Sequence, residues 1–217
     1  VPLEKNYEEL KQQAVATAKK ADAVIMCMGI SPYLEGEEMN VSIEGFKGGD
    51  RTRIDLPDMQ EALIKAVYAT GKPVILVLLN GSAIATNWEA ENLPAIVEAW
   101  YPGQAGGQAI ADVIFGDYNP GGRLPVTIYK SVDDLPPFED YNMNNRTYSY
   151  FTGEPLFPFG YGLSYTTFSY SDLRIKDEIV KGDTVKVNVS VMNSGKLEGD
   201  EVIQLYVSNL ESPFPVP

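Results

Sequence analysis

Histidine is absent from the 217-residue sequence. Its absence removes Ser-His-Asp and Cys-His catalysis, and zinc sites built on histidine, from this chain. Acid/base chemistry near neutral pH then falls to carboxylates, tyrosines or lysines. Cysteine is nearly absent too: Cys27 stands alone, so no disulfide can form within the chain. Its place in an apolar run predicts a small buried hydrophobe. Long apolar stretches are missing, and none approaches the roughly 18 residues that would read as a transmembrane helix. Positive charge is scarce, with 17 Lys and Arg against 30 Asp and Glu and a formal net charge of −13. A nucleic-acid binder needs a basic footprint, and an anionic membrane surface attracts basic segments. Neither partner is expected. The opening VPLEKNYEELKQQ carries no charged-then-apolar leader and does not start with Met, so the sequence reads as an excerpt in which a missing signal peptide says little.

What the chain has in abundance is carboxylate and glycine in one place. Residues 29–60, GISPYLEGEEMNVSIEGFKGGDRTRIDLPDMQ, hold Glu35, Glu37, Glu38, Glu44 and Asp50 among Gly36, Gly45, Gly48 and Gly49. They follow an apolar run, AVIMCM at 23–28, and precede an amphipathic stretch at about 57–70. Long connections inside a compact domain are uncommon and often functional. In an open α/β sheet, ligands bind beyond the carboxyl ends of the strands. The stretch therefore reads either as a loop carrying a working carboxylate or as a solvated acidic loop.

The remaining pattern alternates helix and strand. Residues 7–21 predict a helix with Leu10, Ala14 and Ala18 on one face and Val15 beside them. Residues 23–28 predict a strand covered on both faces. Pro57 opens a helix whose inner face is Met59, Leu63 and Val67, and Gly71 ends it. PVILVLL at 73–79 is a second buried strand, residues 80–90 a strand-end turn, and AIVEA at 95–99 a third strand. A helix over about 104–115 follows a Gly-rich turn whose spacing matches no phosphate-binding motif. RLPVTI at 123–128 predicts an edge strand, since Pro125 cannot donate to a ladder. Near Lys130 the composition shifts. Residues 132–165 are rich in Pro, Tyr, Phe, Asn and Gly, without period. Beyond them, residues 167–175, 183–192 and 200–210 alternate as strands, with Val185, Val187, Val189 and Val191 facing one way.

The predicted fold class is α/β, an open and mostly parallel sheet with helices on both faces, followed by the truncated start of an all-β sandwich. The expected boundaries are an α/β domain at 1–130, an aromatic and Pro-rich linker at 131–165, and the β module at 166–217.

Several segments together resemble one family: LEGEEM at 34–39, GGDR ending at Arg51, the LP…Q opening the next helix, AWYPGQAGGQAIADVIFGDYNPGGRLPVTI, and PLFPFGYGLSYTTFSY. In this order they resemble the C-terminal part of glycoside hydrolase family 3, the β-glucosidases and β-xylosidases. The resemblance implies an upstream TIM-like barrel bearing an Asp nucleophile, an α/β sandwich domain supplying the acid/base carboxylate, and a fibronectin-type-III-like domain. It covers most of the second unit and the start of the third. The barrel and the nucleophile lie outside the sequence. The expected partners are an oligosaccharide substrate and that barrel, and the family implies a secreted or periplasmic location. The wording around ISPYLEGEEM looks more like the xylosidase-type members.

Retaining glycoside hydrolysis needs two carboxyl groups about 5–5.5 Å apart, one attacking and one exchanging protons. It requires no histidine, and neither a cofactor nor a metal is expected. The family pattern E-x-E-G-x-D-R, laid on residues 35–38, selects Glu37 as acid/base, with Glu35 and Glu38 as alternatives. Here Glu38 stands where the pattern has Gly, and Asp50-Arg51 comes after an insertion. Arg51 is expected to pair with Asp50 at the loop end and to be able to orient a glutamate. Tyr33 is a candidate contact to substrate. Trp88 and Trp100 read as core residues. The sequons at Asn40, Asn80, Asn145 and Asn188 would matter only in a eukaryotic secretory route. A non-catalytic carbohydrate-binding or scaffold module remains the alternative.

Overall fold

The apolar run near residue 75 becomes the middle strand of a three-stranded parallel sheet. In the computed structural model, which describes residues 6–36, 38–176, 179–180, 182–207, 209 and 211, β5 (Val74–Leu79) lies between β1 (Val24–Gly29) and β6 (Ala95–Glu98). Val24 pairs with Val74 and Gly29 with Leu79 along one side, and Ile75 with Ala95 along the other. Val74, Leu76, Val77 and Leu78 are buried, so both faces of β5 are covered, as its unbroken apolar sequence requires.

The edge strand departs from expectation. In β1 only Met26 is buried, Ile25 is 44% exposed, and Cys27 is exposed. An edge strand is covered only where helices reach it, and here they reach one face. The reading of β1 as covered on both faces, and of Cys27 as buried, is therefore corrected.

The helices hold near their predicted places but are shorter. α1 spans Tyr7–Ala18 and α2 Asp58–Tyr68. In α1, Ala18 is buried while Leu10 is half exposed. In α2, Ile64 and Val67 are buried while Met59 faces outward, so the inner face is rotated from the predicted Met59–Leu63–Val67 line. The core joins these to Leu56, Phe46, Ile30 and Ile84. The stretch read as a turn at 80–90 contains the start of a short helix, α3 (Asn87–Asn92), on which Glu89 is buried. Its polar, small sequence hid it.

Two compact units emerge. The first takes in the described residues of 1–107 and 126–159 with 209 and 211; the second takes in the described residues of 108–125 and 160–207. α4 (Gly106–Phe115) contributes to both stretches. In the first unit, Ile128 bridges to Phe157, but residues 123–128 form no strand. Residues 132–165 are irregular apart from a 3-10 turn at Val132–Asp134 and a one-turn helix, α5 (Thr147–Tyr150), with Tyr148 stacked on Phe159 at 4.2 Å. In the second unit, β7 (Phe168–Arg174) and β8 (Asn188–Asn193) pair antiparallel with a register shift between Ser171 and Arg174. A largely buried Arg123–Glu201 ion pair at 2.7 Å ties that unit together, and Asn119 accepts from Ser164 Oγ and the Tyr165 amide. β8 begins later than the strand predicted at 183–192, and among the described residues of 200–210 there is no strand. Ser208 and Leu210 lie outside the described residues.

Candidate active site

The long acidic connection is not a bare loop. Its middle folds into a small antiparallel sheet of β2 (Ser42–Ile43), β3 (Phe46–Lys47) and β4 (Asp50–Arg51). Glycines make the tight turns: Gly45, Gly48 and Gly49 all have positive φ, a conformation that side chains resist. Gly49 could bear no side chain, since a Cβ would sit 1.5 Å from the Gly36 carbonyl oxygen.

Both ends of the connection are tied. Gln60, in the first turn of α2, accepts from the Gly29 amide at 2.8 Å and donates to the Gly29 carbonyl at 2.6 Å. One side chain thus satisfies the backbone of the last residue of β1 and holds the loop's start beside its end. Immediately after β1, residues 31–35 close a turn in which the Leu34 and Glu35 amides donate to the Ser31 carbonyl. Leu34 packs on the core, and this directs Glu35 toward the neighbouring strand ends.

Glu35 meets groups from two of them. Its Oε2 accepts from the Gly81 amide at 3.0 Å and from the Tyr101 hydroxyl, and its Oε1 accepts from Ser82 Oγ. Gly81 and Ser82 follow β5; Tyr101 follows β6. Loops from the carboxyl ends of all three parallel strands therefore converge on one carboxylate. Burial is the largest influence on Glu35 and disfavours its charge. The bonds from Ser82, Tyr101 and the Gly81 amide, with the Arg51 charge, outweigh it and hold the carboxyl below its ordinary value. Burial, with the bond to Glu35, pushes the Tyr101 hydroxyl up, so it stays a donor.

Arg51 braces the same node. Its Nη1 donates to Ser82 Oγ at 3.2 Å and to the Ala83 carbonyl at 2.9 Å. Its Nε and Nη2 donate to the Arg53 and Asp55 carbonyls, both at 3.0 Å. The expected Asp50–Arg51 ion pair is not formed; Arg51 is spent on backbone and on Ser82. Arg53 is the loop's ion-pairing residue instead, reaching Glu44 at 2.9 Å, Asp58 at 2.5 Å and Asp55 at 3.6 Å. Behind the node, Asn80 is fully buried and donates to the Ser82 carbonyl at 3.0 Å and to Glu98 Oε2 at 3.4 Å. Burial raises the Glu98 carboxyl, against bonds from the Trp100 amide and Asn80.

Of the residues singled out from sequence, Glu35 and Arg51 lie at one node. Tyr33 is 82% exposed. Glu37 lies outside the described residues. Trp88 packs edge-on against Tyr68 at 5.2 Å and borders the core, as expected. Ser82, Tyr101, Asn80 and Glu98 were not anticipated. The strand-end rule, applied to the last residue and the three that follow at the ends of β5 and β6 rather than to the longest loop alone, would have found them. Among the described residues no group of three or more Asp, Glu or Cys side chains is arranged to hold a metal ion, and no helix is long and apolar enough to cross a membrane.

Parallel strands flanked by helices, with polar loops gathered at the strands' carboxyl ends, define an α/β domain. More particularly, residues 3–165 match the glycosyl hydrolase family 3 C-terminal domain, and the chain belongs to that family. It is 55% identical over 202 residues to a xylan 1,4-β-xylosidase of Xylanibacter ruminicola, covering 93% of this chain and 23% of that protein. It is 40% identical over 218 residues to a periplasmic β-glucosidase of Salmonella typhimurium, covering 94% and 27%. Among solved structures, a β-glucosidase from Erythrobacter marinus superposes with a TM-score of 0.73 at 39% identity, covering 87% of this chain and 25% of that one. The chain thus spans about a quarter of the length of these curated relatives.

Proposed function

We propose that this chain is part of an exo-acting retaining β-glycosidase that releases terminal β-linked xylose or glucose from plant cell-wall oligosaccharides. The name of the xylosidase relative, and its higher identity, favour xylose. In this reading residues 1–130 form the α/β sandwich domain, residues 131–165 a linker, and residues 166–217 the start of a fibronectin-type-III-like domain, which the antiparallel β7–β8 pair supports. The nucleophilic aspartate belongs to a barrel domain of the same protein. The α/β domain supplies the general acid/base, Glu37 with Glu35 as the alternative, with Tyr33 as a substrate contact and Arg51 orienting the glutamate loop from its seat on backbone carbonyls and Ser82. The printed name of the Salmonella relative supports a periplasmic or secreted setting.

The observation that carries this reading is the convergence of strand-end loops on the carboxylate of a long acidic connection. Such a loop is preorganised before substrate arrives, which is what a proton-transferring group requires. One carboxyl attacks the anomeric carbon; the other protonates the departing oxygen and then takes a proton from water.

The test is product stereochemistry and leaving-group dependence in the intact protein. Wild type should release the β-anomer first, followed by proton NMR. Glu37→Gln should lose turnover of poor leaving groups by about 100- to 10,000-fold and spare activated aryl glycosides. An α-anomer as first product, or uniform loss across leaving groups, would refute the assignment.

A further inference from the structure

We infer that Glu35 is a positioning residue: the anchor by which the acidic loop is locked onto the β5 and β6 strand ends, rather than the group that exchanges the proton. This rests on the retaining-glycosidase reading above and assigns a role within it.

Each Glu35 oxygen already accepts from the protein, Oε1 from Ser82 Oγ and Oε2 from the Gly81 amide and Tyr101 hydroxyl. A proton donor must instead aim an O–H at substrate and hold its proton near neutral pH. Here donors surround the carboxylate and favour its charge. Ser82 in turn accepts from Arg51 Nη1 at 3.2 Å, which orients its hydroxyl hydrogen toward Glu35. The site is built to receive this side chain: at Gly81 a Cβ would lie 2.7 Å from the Tyr101 ring and 3.2 Å from Glu35 Oε2.

What the anchor fixes is the loop beyond it. Gly36 packs its carbonyl against Gly49, and the Met39 amide donates to the Gly48 carbonyl at 2.9 Å. The chain is therefore held at 35–36 and again at 39, on a frame whose first point is the Glu35 carboxylate. Glu38, between these points, takes a positive φ of 48°. The frame matters to the rate because displacement of a reacting group by about 1 Å can cost a hundredfold.

The experiment compares Glu35→Gln, Tyr101→Phe and Glu37→Gln in the intact enzyme, each checked for folding by thermal unfolding. Glu35→Gly and Glu37→Gly are assayed with azide. We expect Glu35→Gln to lower kcat by about 10- to 100-fold with little change in KM. Its alkaline pH–rate limb should persist at a shifted position, and Glu35→Gly should form no glycosyl azide. Tyr101→Phe, which keeps the ring and removes only the hydroxyl, should shift the limb in the same sense by less. Glu37→Gln should abolish the limb, and Glu37→Gly should be rescued by azide. Azide rescue with glycosyl azide formation in Glu35→Gly, or loss of the alkaline limb in Glu35→Gln, would overturn the proposal by making Glu35 the proton donor. Unchanged kcat and pH profile in folded Glu35→Gln and Tyr101→Phe would overturn it by making the anchor irrelevant to catalysis. Failure of the underlying reading is separable, because wild type would then give no retained first product.

Discussion

Replacing Gln60 should unfasten the acidic loop at its root. The Gly29 amide and carbonyl both bond to this one side chain, at 2.8 and 2.6 Å, in a half-buried setting. Gly29 has little room to compensate: its φ is +132°, and a Cβ there would sit 2.1 Å from the Leu79 carbonyl. Orphaning a buried backbone group costs about 1–3 kcal/mol. Two groups, with water reaching part of the site, put Gln60→Ala near 2 kcal/mol. For a chain of this size that is a fall in Tm of about 4–8 °C. Gln60→Glu sharpens the test. It keeps the acceptor for the Gly29 amide but loses the donor and turns a second oxygen toward the Gly29 carbonyl. It should be at least as destabilising as Ala at neutral pH and recover as pH falls and its carboxyl gains a proton. Thermal unfolding followed by circular dichroism across pH 4–8 (roughly the span over which a glutamate titrates) reads both effects, and hydrogen exchange at Gly29 localises them. Both variants unfolding within about 1 °C of wild type, less than half a kcal/mol, would refute the reasoning.

Gly81→Ala should disrupt the Glu35 node without touching the sheet. The added methyl, 2.7 Å from the Tyr101 ring, must displace it, at an overpacking cost of about 1–3 kcal/mol, and the Glu35 carboxyl should rise toward its ordinary value. Glu89→Gln should stabilise the chain at neutral pH. Glu89 is buried, its Oε1 has no partner among the described residues, and burial, with the Glu61 charge adding, raises its carboxyl. The folded state therefore holds that proton to higher pH than the unfolded state. Stability from it is full below the ordinary glutamate value and is lost as pH climbs through the raised one. The advantage of the Gln variant in Tm should accordingly be absent in acid and grow with pH, by about 2–4 °C for each kcal/mol recovered.

Much of the framework was readable from the sequence, for reasons that differ by element. β5 was legible because a strand buried on both faces must be apolar throughout, and Val74 to Leu79 is. α2 followed from period and boundary residues, although its inner face is rotated onto Ile64 and Val67. β1 misled because its composition matched β5 although one face is uncovered: the sequence records residue type, while neighbours decide exposure. α3 was invisible because six mostly polar residues are too few to show a helical period. In the site, the carboxylate loop announced itself by composition, and Glu35 and Arg51 by resemblance. Their partners did not. Ser82 and Tyr101 lie 47 and 66 residues from Glu35 in the chain, and only the parallel pairing of β1, β5 and β6 brings them together. Arg51 was expected to pair locally with Asp50, but the turn at Gly48–Gly49 presents its guanidinium to the carbonyls of residues 53, 55 and 83.

The titration of Glu35 itself bears most directly on the account. A carbon-detected carboxyl titration of the chain, with the resonance assigned by its loss in Glu35→Gln, should place Glu35 below the ordinary glutamate value and show a change at the Tyr101 ring over the same pH range. Titration of Glu35 above that value, toward neutrality, would mark it as a proton donor and contradict its role as the loop's anchor.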